Sequence, residues 1–573
     1  MPEYTEFLTT EKFDGFEDPV KYEKEWLPKV IAYREALARA IDPKYAIDLP
    51  KPIEQLVDDQ FNSLDYLYKS NLLTSEELAI TETSATELQK QLASGSLTAV
   101  SVYLAYAKRA VICHQLTNSA MELFTDEGYE RAKELDKYFA ETGGQVVGPM
   151  HGLPISLKEH YAYRNKVTHA SMVAWVDNVT PEHCVTIQVL EDLGAVFYVR
   201  TNQPQTLMHL DSNNNFTGLT RNPFNMKLSS GGSSSGEGAI VAFGGSTMGI
   251  GSDIGGSIRS PAAFSGCFGL RPTSNRVSLA GAVATISGQE SVLGVCGPLA
   301  RSVEDIDFWM KHYLNNGKPW DLDGTLVRMP WRELPAPSVS GLTIGVIWDD
   351  GLVHPTPPIT RGLKEVVNKL TKAGAKIIDF KPMKTKLAYE TVHKMYNCDG
   401  NALNKRVLGT SGEPLTKLTK WSLNYGDGSR EYSTTENREL NYIRDNLRLE
   451  YTKYMVDNKI DFLISPTYCN VAPVSECVYS WSYTSLFNIL DFPTLVFQTG
   501  LFLDSEIDKW DDTFKDYQFR SELEKLELEQ YDPQTFSGAP IGLQLTSRRY
   551  HDEEVVAAGK AIVELLGVSL YKK

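Results

Sequence analysis

Residues 229–273 read SSGGSSSGEGAIVAFGGSTMGIGSDIGGSIRSPAAFSGCFGLRPT, and the rest of the chain is interpreted outward from them. So much glycine and serine would ordinarily mark a flexible linker. Here Ile240, Val241, Phe243, Met248, Ile250 and Ile254 are spaced through the stretch, which predicts a folded, tightly turned region. Two Gly-Ser clusters flank one apolar segment. Gly255 and Gly256 lack a Cβ and let backbone amides approach a carbonyl closely, and the hydroxyl of Ser257 follows at once. A nucleophile beside an oxyanion hole needs that arrangement.

On the N-terminal side, Trp26, Val30, Tyr33, Leu37 and Ile41 recur at helical spacing, with Pro28 tolerable only in a first turn. Ser84-Ala-Thr-Glu87 is a capping-box pattern that predicts a helical region running past Arg109. From His151 the texture changes. HGLPISLKEH, VTIQVLEDLGAVFYVRTN and GLTIGVIWDD mix short β-branched runs with helical patterns, which predicts an α/β sheet. Further strands are expected at AKIIDF and over residues 461–466, 492–497 and 541–546, and a closing helix at HDEEVVAAGKAIVELLG. The polar stretch 411–451 is expected to form helices and loops near the surface.

The bulk numbers narrow the function classes. The chain has 573 residues, 42% of them hydrophobic, and a net charge of −16, which disfavours polyphosphate partners and anionic membrane surfaces. No basic run interrupts the acidic balance, so no nucleic-acid partner is expected. Seven cysteines, widely spaced and without a CxxC pair, fit reduced thiols in a cytoplasmic protein. The acidic first residues lack the pattern of a signal peptide, so secretion is not expected. The longest uncharged stretch, 91–107, is too short and polar to span a membrane. No Walker lysine, GxGxxG, HExxH or Cys/His ligand cluster is present, so neither cofactor nor metal is expected.

The segments GGSSSGEG, GSDIGGSIRSPAAFSG and GLRPT resemble the amidase signature family. The likeness extends through HGLPISLKEH, TNQPQTLMHLDSNNNFTGLTRNP, DFLISPTYCNVAP, SLFNILDFP and GAPIGLQL, and is nearest to the fungal acetamidase-type branch, related to fatty acid amide hydrolase. This resemblance implies an α/β amidase signature fold, a mixed central β-sheet surrounded by α-helices. It divides the chain into an N-terminal helical segment, 1–83, packed on the core, and a single amidase domain, 84–573. It also implies a Ser-Ser-Lys triad: Ser257 as nucleophile, Ser233 as a bridging serine in a cis peptide, and Lys158 as base. Amides of Ile254, Gly255, Gly256 and Ser257 would form the oxyanion hole, and Leu207 and Met208 would approach the acyl group. Asp253 and Arg259 match charged positions that would hold the loop by hydrogen bonds.

The chemistry of the trio stands without the family. A serine hydroxyl needs a base, and a lysine serves only when neutral, so its usual value of about 10.4 must fall by burial or a cationic neighbour. Leu153, Pro154, Ile155 and Leu157 can supply an apolar setting. Gly232-Ser-Ser-Ser-Gly236 is also a formal G-x-S-x-G, which would make Ser234 the nucleophile, but NMKLSS is a poor strand to precede an elbow. The expected activity is hydrolysis of small carboxamides, acetamide-like aliphatic amides or carbamate esters such as ethyl carbamate, through an acyl-Ser257 intermediate. Alternatives are a lipid-amide hydrolase and an ammonia-releasing subunit of a tRNA-dependent amidotransferase. A homodimer is compatible with the sequence but not specified by it.

Overall fold

The computed structural model describes residues 16–425 and 430–572. The first fifteen residues, on which the reading of the N-terminus partly rests, and 426–429 within the polar stretch lie outside the described residues. Among the described residues eleven strands form one sheet: β1 Ala120–Leu123, β2 Pro154–Lys158, β3 Val196–Thr201, β4 Met248–Asp253, β5 Phe268–Arg271, β6 Val295–Ala300, β7 Thr343–Val346, β8 Lys376–Asp379, β9 Phe462–Pro466, β10 Thr494–Phe502 and β11 Pro540–Thr546. Their order is β1-β3-β2-β4-β6-β5-β10-β11-β9-β7-β8. The pairs β3/β2, β2/β4, β9/β7 and β7/β8 are parallel and the rest antiparallel, so the sheet is mixed, as expected. Helices pack against it, among them Ala99–Thr117, Ser235–Phe243, Arg259–Ser265 and Asp552–Leu566.

Central strands β2, β3 and β6 are buried at every position, which is why they read as continuous apolar runs rather than as alternating ones. Side chains from the N-terminal helices, among them Leu37, Leu67 and Ile80, share one apolar core with the sheet.

Three local expectations are corrected. Pro28 does not open a helix, because helical backbone runs from Pro19 to Arg39. A π-turn over Tyr22–Trp26, in which Leu27 N donates to Tyr22 O, precedes the proline and widens the turn whose carbonyl its ring would otherwise strike. The helical region from Ser84 does not run unbroken past Arg109. It stops at Ala93, Gly95 adopts φ +71, and a new helix starts at Ala99 under a Thr98 cap. Part of the stretch 411–451 is not at the surface. Leu418, Trp421 and Leu423 on the helix Lys417–Asn424 are buried, because Trp421 packs on Tyr425 and Leu423 joins Met172, Leu408 and Leu415 in a small separate core. The next helix, Thr434–Asp457, does face outward in part, with Tyr442 and Leu449 about two-thirds exposed.

Candidate active site

Parallel neighbours β2 and β4 bring the site together at their C-terminal ends. β2 ends on Lys158, and Leu157 pairs with Ile250 of β4. Beyond Asp253, β4 passes into the Ile254–Ser257 turn and then the helix Arg259–Ser265. Ligands gather at such strand ends in α/β sheets because loops and helix starts present free backbone groups there. Ser233 arrives from the other Gly-Ser cluster, two residues before the helix Ser235–Phe243. The Gly232–Ser233 peptide is cis. Every residue from 229 to 273 is buried except Ser252, which is half-buried.

Lys158 is fully buried, and its Nζ lies 2.6 Å from Ser233 Oγ and 3.1 Å from Ser252 Oγ. Burial lowers its pKa to about 7, against the opposing pull of the Asp253 and Glu237 carboxylates. Near neutral pH the amine is therefore available as a base. Glu237 is held by hydroxyls of Ser156 and Thr201, each at 2.7 Å, and burial raises its pKa to about 7. The sequence reading missed Ser252 as a second partner of Lys158. Its signal was the strand period: Met248, Ile250 and Ser252 share one face of β4.

Ser233, Ser252, Ser257, Ile254, Leu207 and Met208 line one cavity of about 570 Å³, together with His160 and residues of the 275–294 and 323–326 loops. Ser233 and Ser257 face this cavity without a hydrogen bond between their hydroxyls among the described residues. Leu207 sits at φ +64, beside Thr206 at φ +65, a left-handed backbone unusual for bulky or β-branched side chains.

Ser234 is excluded from the cavity wall. Its Oγ accepts from Ser252 N (3.2 Å) and lies 3.3 Å from Ser252 O, while its own amide donates to Ser257 O. This serine clamps the two Gly-Ser clusters together, leaving its hydroxyl engaged rather than presented, which weighs against the elbow alternative.

The turn before Ser257 is tied from all sides. Asp253 accepts from Gly256 N (2.9 Å) and Ile258 N (3.1 Å) and pairs with Arg259 at 3.0 Å, all fully buried. The Arg259 guanidinium holds the Asp253 carboxyl well below the usual carboxylate range, against its burial. Arg259 also donates to Thr484 O and Asn488 Oδ1. Thr484 Oγ1 donates to Gly255 O (2.6 Å) and Tyr396 to Ile254 O (2.7 Å). A Cβ on Gly255 would lie 2.8 Å from the Trp481 ring. One on Gly256, at φ +133, would lie 2.6 Å from Thr484 Oγ1. Both positions require glycine. Because the Gly256 amide already serves Asp253, the donors of the turn without a hydrogen bond among the described residues are the amides of Ile254, Gly255 and Ser257.

Comparison with known proteins gives the family. Residues 101–556 match the amidase family. The chain is 37% identical over 546 residues to an acetamidase of Emericella nidulans, covering 93% of this chain and 97% of the relative. It is 35% identical over 516 residues to an acetamidase of Aspergillus oryzae, covering 88% and 93%. A solved fatty acid amide hydrolase superposes with TM-score 0.98 and 61% identity, covering 99% of this chain and all of that one. Sheet, signature segment and full-length relatives converge, and the chain belongs to the amidase family.

Proposed function

We propose that this amidase cleaves its substrate through an acyl-Ser257 intermediate, with Ser233 and Lys158 as the proton relay. The observation that carries the reading is the buried Lys158 amine, 2.6 Å from Ser233 Oγ, on a cavity that Ser257 shares. As Ser257 Oγ attacks the carbonyl carbon, its proton passes to Ser233 Oγ and the Ser233 proton to the neutral Lys158 Nζ. The relay then runs backwards and protonates the amide nitrogen as the C–N bond breaks. Water attacks the acyl ester by the same route, giving the carboxylic acid and free Ser257. Hydroxyl contacts of this kind often tighten only when substrate is bound. Amides of Ile254, Gly255 and Ser257 would receive the oxyanion, each donor contributing about 10²-fold in rate or more. Leu207 would flank the reacting carbonyl.

The cavity favours one refinement. At about 570 Å³ it falls in the range of pockets that enclose drug-sized molecules, far beyond acetamide. The substrate reading therefore shifts from acetamide toward amides with a large apolar substituent, lipid amides included, and carbamate esters could follow the same route. Among the described residues no helix is long and apolar enough to cross a membrane. Seven unpaired cysteines support a reducing, cytoplasmic setting, and the reaction as written needs no cofactor, nucleic acid or partner protein.

The test is covalent labelling with a fluorophosphonate followed by peptide mapping. Modification at Ser257 is expected, and modification at Ser234 would overturn the assignment. A kcat/KM panel of acetamide, hexanamide, an aryl amide and ethyl carbamate then ranks the substrates, with hexanamide or the aryl amide expected above acetamide.

A further inference from the structure

The helix Thr434–Asp457 carries apolar residues on two opposite faces. Leu440, Leu447, Tyr451 and Met455 are buried against the molecule, as an amphipathic surface helix requires. On the far side Tyr442, Leu449 and Val456 are 70%, 68% and 51% exposed. They recur every seven residues, and an α-helix drifts by only about 20° per heptad, so the three side chains form one nearly straight seam. A lone exposed apolar residue needs no explanation. An aligned seam along a helix of 24 residues is the pattern by which one helix packs on another.

The charges beside the seam say which helix fits. Asp445 lies four residues before Leu449 and Lys453 four residues after it, and both are exposed. A second copy of this helix laid antiparallel, with a two-fold axis at Leu449, sets Leu449 against the partner's Leu449 and Tyr442 against the partner's Val456. Asp445 then faces the partner's Lys453, and opposite charges meet twice. Laid parallel, every residue would meet its own copy, acid beside acid and lysine beside lysine, and like charges would repel. Lys453 is engaged by Asp457 on its own helix in an exposed ion pair that contributes little, so it changes partners at small cost. Glu439, Asp445 and Asp457 along this face, with the chain's net charge of −16, oppose an anionic bilayer there.

The same helix steadies the substrate cavity. Asn437 Oδ1 accepts from Ser291 Oγ at 2.9 Å, and Arg444 donates to Ser291 O, on the loop wall 275–294. We propose that the seam of Tyr442, Leu449 and Val456 is the surface through which two copies of this chain pair, antiparallel about Leu449. Pairing there braces, from outside, the helix that holds the cavity's loop wall.

The test is the mass of the full chain by sedimentation equilibrium over a concentration series. The unmodified protein should reach twice the mass of one chain. Leu449→Glu should raise the dimer Kd by about 100-fold, and Val456→Glu gives the same readout if that variant fails to fold. Asp445→Lys and Lys453→Asp should each raise it by about 10-fold. Combined, they should bring it back toward the unmodified value, because the pair is restored with its signs exchanged. A monomer at about 100 μM, a dimer indifferent to the seam variants, or a double variant no tighter than the single ones would overturn the proposal. So would cosedimentation of the unmodified chain with phosphatidylglycerol–phosphatidylcholine vesicles that Leu449→Glu abolishes, since the seam would then serve a lipid surface.

Discussion

Two walls of one cavity are built on opposite principles. The wall from Ser229 to Thr273 is buried almost throughout, and its turn is tied by Asp253, Arg259, Thr484 and Tyr396 through backbone as much as side-chain groups. Facing it, residues 275–294 carry neither helix nor strand, and Ala280, Gly281, Ser287, Gly288 and Glu290 are exposed. The first wall is closely packed: a Cβ on Gly255 would lie 2.8 Å from the Trp481 ring and one on Gly256 2.6 Å from Thr484 Oγ1. The second sets the room available, through side chains on a loop, where change is cheap in stability.

Substitutions on each wall can break or sharpen this contrast. The largest effect is expected from Ser257→Ala, a fall in kcat of about 10⁴-fold or more. The melting temperature should stay close to that of the unmodified protein, because one oxygen is removed from a cavity wall. Turnover within a factor of ten of the unmodified enzyme would place the chemistry elsewhere.

Lys158→Met should follow, at about 10² to 10⁴-fold in kcat/KM. Its pH profile carries the sign. With the amine's pKa lowered to about 7, Lys158 is protonated and inactive below that value and neutral above it, so activity should climb with pH through about 7 and then level. In the Met variant this acidic limb should vanish along with most of the rate. An unchanged limb would assign it to another group.

A pair of glycines tests the walls' tolerance directly. Gly256→Ala meets both a forbidden φ and the Thr484 side chain and should cost roughly 2 to 4 kcal/mol, whereas Gly288→Ala, at φ +85 with open space around it, should cost only about 1 kcal/mol. Equal losses in denaturant titrations would erase the distinction between the walls. The smallest effect is expected at Ile286, half-buried on the loop wall. Ile286→Ala should change the ratio of kcat/KM for hexanamide over acetamide by about 10-fold or less while moving stability little. A comparable loss for both amides would mean that this loop supports the chemistry as well.

Much of the fold was legible because its signals are local. Strands at 154–158, 462–466 and 540–546, and the helix at 552–566, are continuous apolar or amphipathic runs that burial at the sheet explains. The failures were also physical. Pro28 lies inside a helical run because a π-turn before it moves the carbonyl that would clash, and no residue pattern announces a π-turn. Trp421 and Leu423 were read as part of a surface stretch because their neighbours in sequence are polar. Their neighbours in space, Tyr425 and Met172, are not.

By itself the sequence determined the amidase family and the α/β class, and it marked the residue types the chemistry requires: a lysine after an apolar run and serines beside paired glycines. These are properties of short segments, and the residues carry them wherever the chain goes. Only the tertiary structure decided that Lys158 Nζ sits 2.6 Å from Ser233 Oγ, that Ser234 is a clamp, that the Gly256 amide serves Asp253, and that one cavity joins Ser257 to Leu207. The physical reason is that a hydrogen bond, a depressed lysine pKa and a cavity volume all depend on distances between segments far apart in the chain, 94 residues in the case of Lys158 and Ser252. Those distances exist only once parallel β2 and β4 have paired and the two Gly-Ser clusters have closed against each other.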